Sequence, residues 1–304
     1  MKLLQFYEKQ DEKRKPRIGV LGEGNIVRPL RTDGTDRADG TGGTTGTMRS
    51  FITRLSEVEP SERERELATW VEEAEGWQLE EVVLLSPLTD PEKIICIGLN
   101  YHDHVIESGM KVPSVPVLFP KYSNCIAAHE QSIAIPAEVT QCDYEVELAV
   151  VIGKVAKRVS REEAMDYVFG YTVLNDVSAR DIQLNEPQWT RGKTIDGFAP
   201  IGPWIVTADE LPHPGSLAIK LRLNGKLMQN SNTKELIFDI PYLISFLSNT
   251  MTLKPGDVIS TGTPPGVGMG QKPQVWLKPG DVVEAEIEGI GVLRNTFVAE
   301  ASLN

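Results

Sequence analysis

One of the most apolar segments of the chain opens on two acids: Glu145-Val146-Glu147 leads into Leu148-Ala149-Val150-Val151-Ile152. A β-strand sends alternate side chains to opposite faces. Glu145 and Glu147 therefore share a face with Ala149 and Val151, while Val146, Leu148, Val150 and Ile152 take the other. A strand apolar on both sides belongs in the middle of a covered sheet. Two carboxylates at the edge of a buried layer repel each other and lose hydration. They need a cation or hydrogen-bond donors to stay ionised.

Before this segment the pattern is mixed. Residues 2–30 read as short strands, Arg17-Ile18-Gly19-Val20-Leu21 among them. Residues 32–47, rich in Gly, Thr and Asp, read as a flexible loop that cannot bury a core. Two amphipathic helices follow. Met48, Phe51, Ile52 and Leu55 fall on one helical face, as do Leu67, Trp70, Val71 and Ala74. Ser61 with Glu64 forms a capping box for the second helix. A boundary falls near residues 76–90, where Pro87 and Pro91 interrupt the pattern. It divides a small N-terminal α/β appendage (1–85) from a larger body (90–304).

From Lys93 onward short apolar runs alternate with Gly and Pro turns. Strands are predicted at Ile94–Ile97, Val117–Phe119, Glu145–Ile152, Tyr171–Asn175, Trp204–Thr207 and Ala218–Leu223. Asn224-Gly225 predicts a two-residue hairpin turn into Lys226-Leu227-Met228. Leu-Lys-Pro-Gly-Asp-Val occurs at 253–258 and again at 277–282, each copy a Pro-Gly turn feeding a strand. Helices are few: Tyr101–Ser108, Arg161–Tyr167 and Ile240–Ser248. The fold class is α+β, mainly β, a mostly antiparallel domain with peripheral helices.

Composition narrows the function. The 304 residues are 40% apolar and 24% charged, as in a globular protein, and the net charge is −12. That balance argues against nucleic acid or an anionic membrane as a main partner. No apolar run approaches the roughly 20 residues that span a bilayer. The start, Met1 to Tyr7, lacks the longer apolar core of a secretory signal. Three cysteines, Cys96, Cys125 and Cys142, form no disulfide framework and no C-x-x-C pair, so an intracellular setting, mitochondrial matrix or cytosol, is expected.

Three constellations carry chemistry. In a chain with 43 acidic residues a Glu-x-Glu is common, but Asp176, at the end of the apolar run Tyr171–Asn175, adds a third carboxylate that can converge on Glu145 and Glu147. Three carboxylates plus water suit Mg²⁺, Mn²⁺ or Ca²⁺, and the absence of His or Cys from the set disfavours zinc. In Asn100-Tyr101-His102-Asp103-His104-Val105-Ile106-Glu107, His104 and Glu107 are three apart and neighbours on a helix. A carboxylate beside an imidazole fixes its tautomer and builds a general base. His102 points elsewhere on that helix, and His129 and His213 sit in loops without a role. Third, Gly262-Thr263-Pro264-Pro265-Gly266-Val267-Gly268-Met269-Gly270 lacks the P-loop Gly-Lys-Ser/Thr ending. It reads either as a tight structural loop or as a wall whose N–H groups and Thr263 hydroxyl bind a carboxylate or enolate oxygen. Lys193, in Arg191-Gly192-Lys193-Thr194, is a candidate anchor for an anion.

Together these motifs resemble the fumarylacetoacetate hydrolase superfamily, from about Lys93 to Phe297. The likeness rests on Gly98-Leu99-Asn100-Tyr101 with His104 and Glu107, Asp143-Tyr144-Glu145-Val146-Glu147, Asn175-Asp176-Val177-Ser178-Ala179-Arg180-Asp181, Gly192-Lys193-Thr194, and Gly262 to Gly268. The N-terminal appendage and the segment Gln271–Asp281 are most similar to the domain-containing protein 2 branch and related bacterial proteins. Leu99 departs from acylpyruvase-type members, which often carry Arg there. The resemblance implies a mixed β-sandwich roll of the family's C-terminal type. It implies a Mg²⁺ or Mn²⁺ site at Glu145, Glu147 and Asp176, with Ca²⁺ able to take the ion's place. It implies a catalytic His104–Glu107 pair on a helix over the site, Lys193 stabilising negative charge, and Tyr101, Arg180, Gln183 and Thr263 contacting the substrate acid. It also implies a homodimer.

The expected activity is that of a metal-dependent enzyme on small 2-oxo acids, working through an enolate held by the ion. C–C hydrolysis of a 2,4-dioxo acid stands first, because it demands a water-activating base such as His104. Keto–enol tautomerisation or decarboxylation of oxaloacetate is the alternative. A non-catalytic metal-binding protein on the same fold is the third reading.

Overall fold

The computed structural model describes residues 1–30, 47–59, 62–71, 76–109 and 111–300. The Gly/Thr-rich segment therefore lies outside the described residues apart from Thr47, as do Ser61 of the expected capping box and Ala74 of the second helical face.

Two large sheets make the body, and a two-stranded ladder, Cys142–Asp143 with Ser178–Ala179, lies apart from them. The larger has twelve strands. Its main path runs Trp77–Gln78, Ile26–Pro29, Arg17–Leu21, Lys2–Glu8, Ala199–Thr207, Val168–Asn175, Val146–Ile152, Val258–Ser260, Ile94–Gly98, Val117–Lys121. Pairing along this path is antiparallel except between Val258–Ser260 and Ile94–Gly98. The second sheet has five strands: Lys226–Asn232, Ala218–Leu223, Val282–Ile287, Gly291–Ala299 and Ile133–Ile135. The N-terminal segment builds no separate sheet, because Lys2–Glu8 pairs with Ala199–Thr207 and so lengthens the main one.

The two faces of Val146–Ile152 enter two different cores, as its alternation requires. Val146, Leu148, Val150 and Ile152 pack with Ile219, Leu221, Val283, Ala285 and Phe297 of the small sheet. Ala149 and Val151 pack on the opposite side with Met48, Phe51, Ile52 and Leu55 of the helix Met48–Ser56. The strand is thus covered from both sides, and every residue in it is buried. Strands of the small sheet face the core once only: Ala218–Leu223 and Val282–Ile287 alternate strictly between half-buried and buried. The architecture is that of an α+β, mainly β protein whose two sheets sandwich an apolar layer.

Local signals explain the smaller elements. Thr47 caps the first helix by accepting from Ser50 N. Asp239 caps Ile240–Thr250 by accepting from Tyr242 N. Asn224 and Gly225 take φ of 51° and 78°, the left-handed pair that a tight hairpin needs. Two helix expectations fall short. The second N-terminal helix ends at Trp70, because Val71 turns extended and bridges to Leu30. The helix expected over Arg161–Tyr167 is only a 3-10 turn, Ala164–Tyr167, packed under Ile240–Thr250.

Candidate active site

Strand register builds the acid cluster. Val146 lies opposite Asn175, which brings Asp176 beside Glu145: Asp176 N donates to Glu145 O at 2.9 Å, and Glu145 N donates to Asn175 Oδ1 at 2.9 Å. Oxygens of Glu145, Glu147 and Asp176 come within 4.8 Å of one another, and all three residues are buried. The convergence expected from the strand pattern is therefore present.

Charge around the cluster is unevenly shared. Lys193 Nζ donates to Glu145 Oε2 at 2.8 Å and to Asp176 Oδ2 at 2.9 Å, and stands 4.9 Å over the Phe119 ring. Arg180 donates from Nε to Asp143 Oδ2 at 2.9 Å, from Nη2 to Glu145 Oε1, and from Nη1 to Gln183 Oε1 at 2.9 Å. Lys121 gives hydrogen bonds to the carbonyls of Val177, Lys193 and Phe198. An ammonium has three protons, so none is left for Asp176 Oδ1, although that oxygen lies 2.8 Å away. Asp176 Oδ1 is buried and accepts no hydrogen bond among the described residues.

Glu147 differs from its neighbours. It accepts only from neutral donors, Ser260 Oγ and, at 3.0 Å, Gly262 N. Burial, reinforced by the negative charges of Asp176 and Glu145, pushes its carboxyl well above the usual carboxylate range. Burial also opposes ionisation of Glu145, but Lys193 and Arg180 outweigh it and hold that carboxyl well below the usual range. Lys193 loses hydration too, yet Asp176 and Glu145 push its ammonium up. An all-oxygen set with one carboxylate lacking a countercharge and one orphaned buried oxygen fits a hard divalent cation. Glu145, Glu147 and Asp176 would hold it.

The imidazole lies on the other side of the same cleft. His104 Nδ1 is 3.1 Å from Glu107 Oε2 on the helix His102–Ser108. A carboxylate there accepts a hydrogen bond from Nδ1–H, which keeps the proton on Nδ1 and leaves Nε2 as the acceptor. Glu107 Oε1 is in turn held by Gly266 N at 2.9 Å.

Of the two readings of the glycine-rich loop, its hydrogen bonds favour the structural one. Its N–H groups are spent on the protein's own carboxylates: Gly262 N on Glu147, Gly266 N on Glu107, and Gly268 N and Met269 N on Asp143 at 2.6 and 3.1 Å. It holds acids in place and does not present those donors to a substrate oxygen. The Thr263 hydroxyl donates to Val146 O at 2.9 Å and accepts from Gln229 Nε2 at 2.8 Å.

The cleft is lined by His104, Glu145, Glu147, Arg180, Gln183, Lys193 and Thr263, with an apolar wall that includes Leu99, Phe119 and Trp189. Its cavity volume is about 40 Å³, room for roughly three waters. Of the residues expected to touch substrate, Gln183 lines the cleft with its amide nitrogen unpartnered among the described residues. Arg180 lines it with three donor bonds already given to protein partners. Tyr101 does not line it: the ring is fully buried and the hydroxyl has no partner among the described residues. The backbone of Tyr101 pairs with Leu236, turning the side chain into the core.

Two residues escape the sequence reading, Lys121 and Ser260, and Asp143, quoted there within a motif, has no role assigned to it. Strand alternation held a signal for the first, since Lys121 follows Phe119 by two and shares its buried face. The single turns Arg180–Gln183 and Thr190–Lys193, which carry three of the site residues, also went unpredicted. They pack so closely that a Cβ on Gly192 would lie 2.6 Å from Gln183 N.

Comparison with known proteins agrees with this geometry. The family model described as "Fumarylacetoacetate (FAA) hydrolase C-terminal" matches residues 93–298. "Oxaloacetate tautomerase fahd2, mitochondrial" of Xenopus laevis is 51% identical over 219 residues, 71% of this chain and 69% of the relative. "Oxaloacetate tautomerase FAHD2A, mitochondrial" of Homo sapiens is 46% identical over 220 residues, 72% of this chain and 70% of the relative. Among solved structures, fumarylacetoacetate hydrolase from Exiguobacterium antarcticum has a TM-score of 0.82 at 36% identity, covering 99% of this chain and 100% of that one. Maleylpyruvate hydrolase from Sphingobium sp. SYK-6, in complex with manganese (II) ion and pyruvate, has a TM-score of 0.77 at 31% identity, covering 98% and 99%. On this evidence the chain belongs to the fumarylacetoacetate hydrolase family.

Proposed function

We propose that this protein catalyses keto–enol tautomerisation of a small 2-oxo acid of the oxaloacetate type, using a divalent cation. The observation that carries the reading is the placement of His104 in one narrow cleft with Glu145 and Glu147, two members of the three-acid cluster completed by Asp176. Relatives named oxaloacetate tautomerase, 51% and 46% identical, support this reaction over the hydrolysis placed first from the sequence. When held by the three acids, the ion supplies a Lewis acid for the oxygens of the 2-oxo acid. Manganese in the maleylpyruvate hydrolase structure supports a divalent metal.

The chain's own residues divide the work as follows. Tautomerisation moves one proton between C3 and the oxygen on C2. His104 takes or returns that proton at Nε2, while Glu107 steadies the imidazole and the positive charge it acquires. Lys193 stabilises negative charge developing on the oxygen. Gln183 offers an amide N–H to a substrate carboxylate, and Leu99, Phe119 and Trp189 form the apolar wall beside it. Following the ultraviolet absorbance of enol-oxaloacetate tests the reading. Decay with protein and Mn²⁺ is expected to outrun decay in buffer with Mn²⁺ alone, and equal rates reject it. Pyruvate assays on the same samples separate decarboxylation.

Hydrolysis of 2,4-dioxo acids stays as the second reading, favoured by the His104–Glu107 pair, which is also suited to activate water. Release of pyruvate from an acylpyruvate by pure protein with Mg²⁺ would promote it. The setting proposed is intracellular, in keeping with Cys96, Cys125 and Cys142, which are unpaired and buried. The homodimer belongs to the same reading, with sedimentation velocity as its check.

A further inference from the structure

We infer that Gly270 is a positioning residue for the His104–Glu107 pair; the inference rests on the reading of that pair as the proton-transfer group. The Glu107 carboxylate is held from two directions. Its Oε2 meets His104 Nδ1 at 3.1 Å, and its Oε1 accepts from Gly266 N at 2.9 Å. On a third side nothing but the absence of a side chain makes room. A Cβ on Gly270 would lie 2.4 Å from Glu107 Cδ, 2.5 Å from Oε1 and 2.8 Å from Cγ. Carbon atoms do not approach so closely, so one partner has to yield.

The backbone of Gly270 is not what calls for glycine. Its φ lies outside the left-handed region, and alanine fits its conformation. The loop around it is also the better anchored partner. Gly270 N donates to Val267 O at 3.0 Å, and the preceding Gly268 and Met269 are tied to Asp143. Glu107 is the partner free to move, since its carboxylate ends a flexible side chain that is 18% exposed. A methyl at position 270 therefore displaces that carboxylate and breaks its bonds to His104 and Gly266 N. Gly262 N on Glu147 and the two N–H groups on Asp143 are expected to stay in place, because the atoms nearest a Cβ at 270 all belong to Glu107. The substitution strikes the pair and spares the acid cluster.

The experiment uses the full chain with and without Mn²⁺. The protein has 4 histidines, so ¹⁵N imidazole spectra can follow His104 directly, with His104→Ala as the assignment control. In the wild type His104 is expected as the Nδ1-protonated tautomer. In Gly270→Ala that preference is expected to be lost. The oxaloacetate tautomerase kcat should fall about 10–100-fold, the scale of lost supporting hydrogen bonds, with KM within about twofold. The Mn²⁺ Kd from electron paramagnetic resonance should be within about twofold of wild type. Glu107→Gln should lower kcat in the wild-type background and add nothing to Gly270→Ala.

If Gly270→Ala folds poorly, Gly270→Ala/Glu107→Ala removes the colliding atoms and should recover thermal stability. Failure to recover overturns the steric argument. A Gly270→Ala protein with the wild-type His104 signal, with wild-type kcat, or with Mn²⁺ affinity lowered by the same factor as kcat overturns the assignment. Failure of the underlying catalytic reading shows elsewhere, as His104→Ala retaining the wild-type rate.

Discussion

Glu145, Glu147 and Asp176 stand on or beside strands that are hydrogen-bonded on both sides within the large sheet, whereas His104 and Glu107 stand on a helix of seven residues. So short a helix has little stability of its own, and one side of it is open to solvent, with Ile106 80% exposed. The acid cluster is held redundantly: three buried cations and several N–H donors converge on it. The imidazole pair hangs on one carboxylate and one loop N–H. Damage to the cluster should therefore register as stability and ion affinity, and damage to the pair as rate.

The sharpest test of that contrast is His104→Ala. Loss of the base is expected to cost on the order of 10²–10⁴ in kcat, while Mn²⁺ affinity by calorimetry stays within about twofold. Lys121→Met attacks the other half. It leaves Asp176 without the ammonium at 2.8 Å and frees three buried carbonyls. Breaking a buried ionic network in this way should cost about 3–5 kcal/mol, read as a shifted urea midpoint. Glu147→Gln separates ion binding from folding. Its carboxylate has only neutral donors, and an amide can still accept from Ser260 and Gly262. Thermal melts in chelator should show no loss of stability beyond about 1 kcal/mol. The rise in Tm that Mn²⁺ gives the wild type should be absent, since a weakened site no longer stabilises by mass action. At the small end, Ile106→Ser on the open side of the helix should change stability by no more than about 0.5 kcal/mol in denaturant titration.

The sequence was most legible where a rule acts over a few residues. Alternation in Glu145–Ile152 placed two acids on one face and a buried strand behind them. Helical spacing paired His104 with Glu107, and Asn224-Gly225 marked its hairpin. It was least legible where one side chain meets distant backbone. Lys121 and Lys193 O are 72 positions apart, and Gly266 N and Glu107 are 159 apart. The sequence leaves the loop at 262–270 open between a tight structural turn and a donor wall for substrate, and the partners of its N–H groups favour the structural reading. The acids that consume those donors come from two distant stretches, Asp143–Glu147 and the helix that carries Glu107. The family resemblance implies Tyr101 at the substrate, yet its ring is fully buried and its backbone bridges to Leu236.

The sequence by itself determined the mainly β class, the central acidic strand, the third carboxylate and the imidazole–carboxylate pair, because period and spacing are local properties of a chain. Only the tertiary structure decided which carboxylate lacks a countercharge, where the donors of the glycine-rich loop are spent, and that Arg180 and Lys121 brace the cluster. Those outcomes depend on which groups from remote segments arrive first at each buried oxygen, and packing settles that competition.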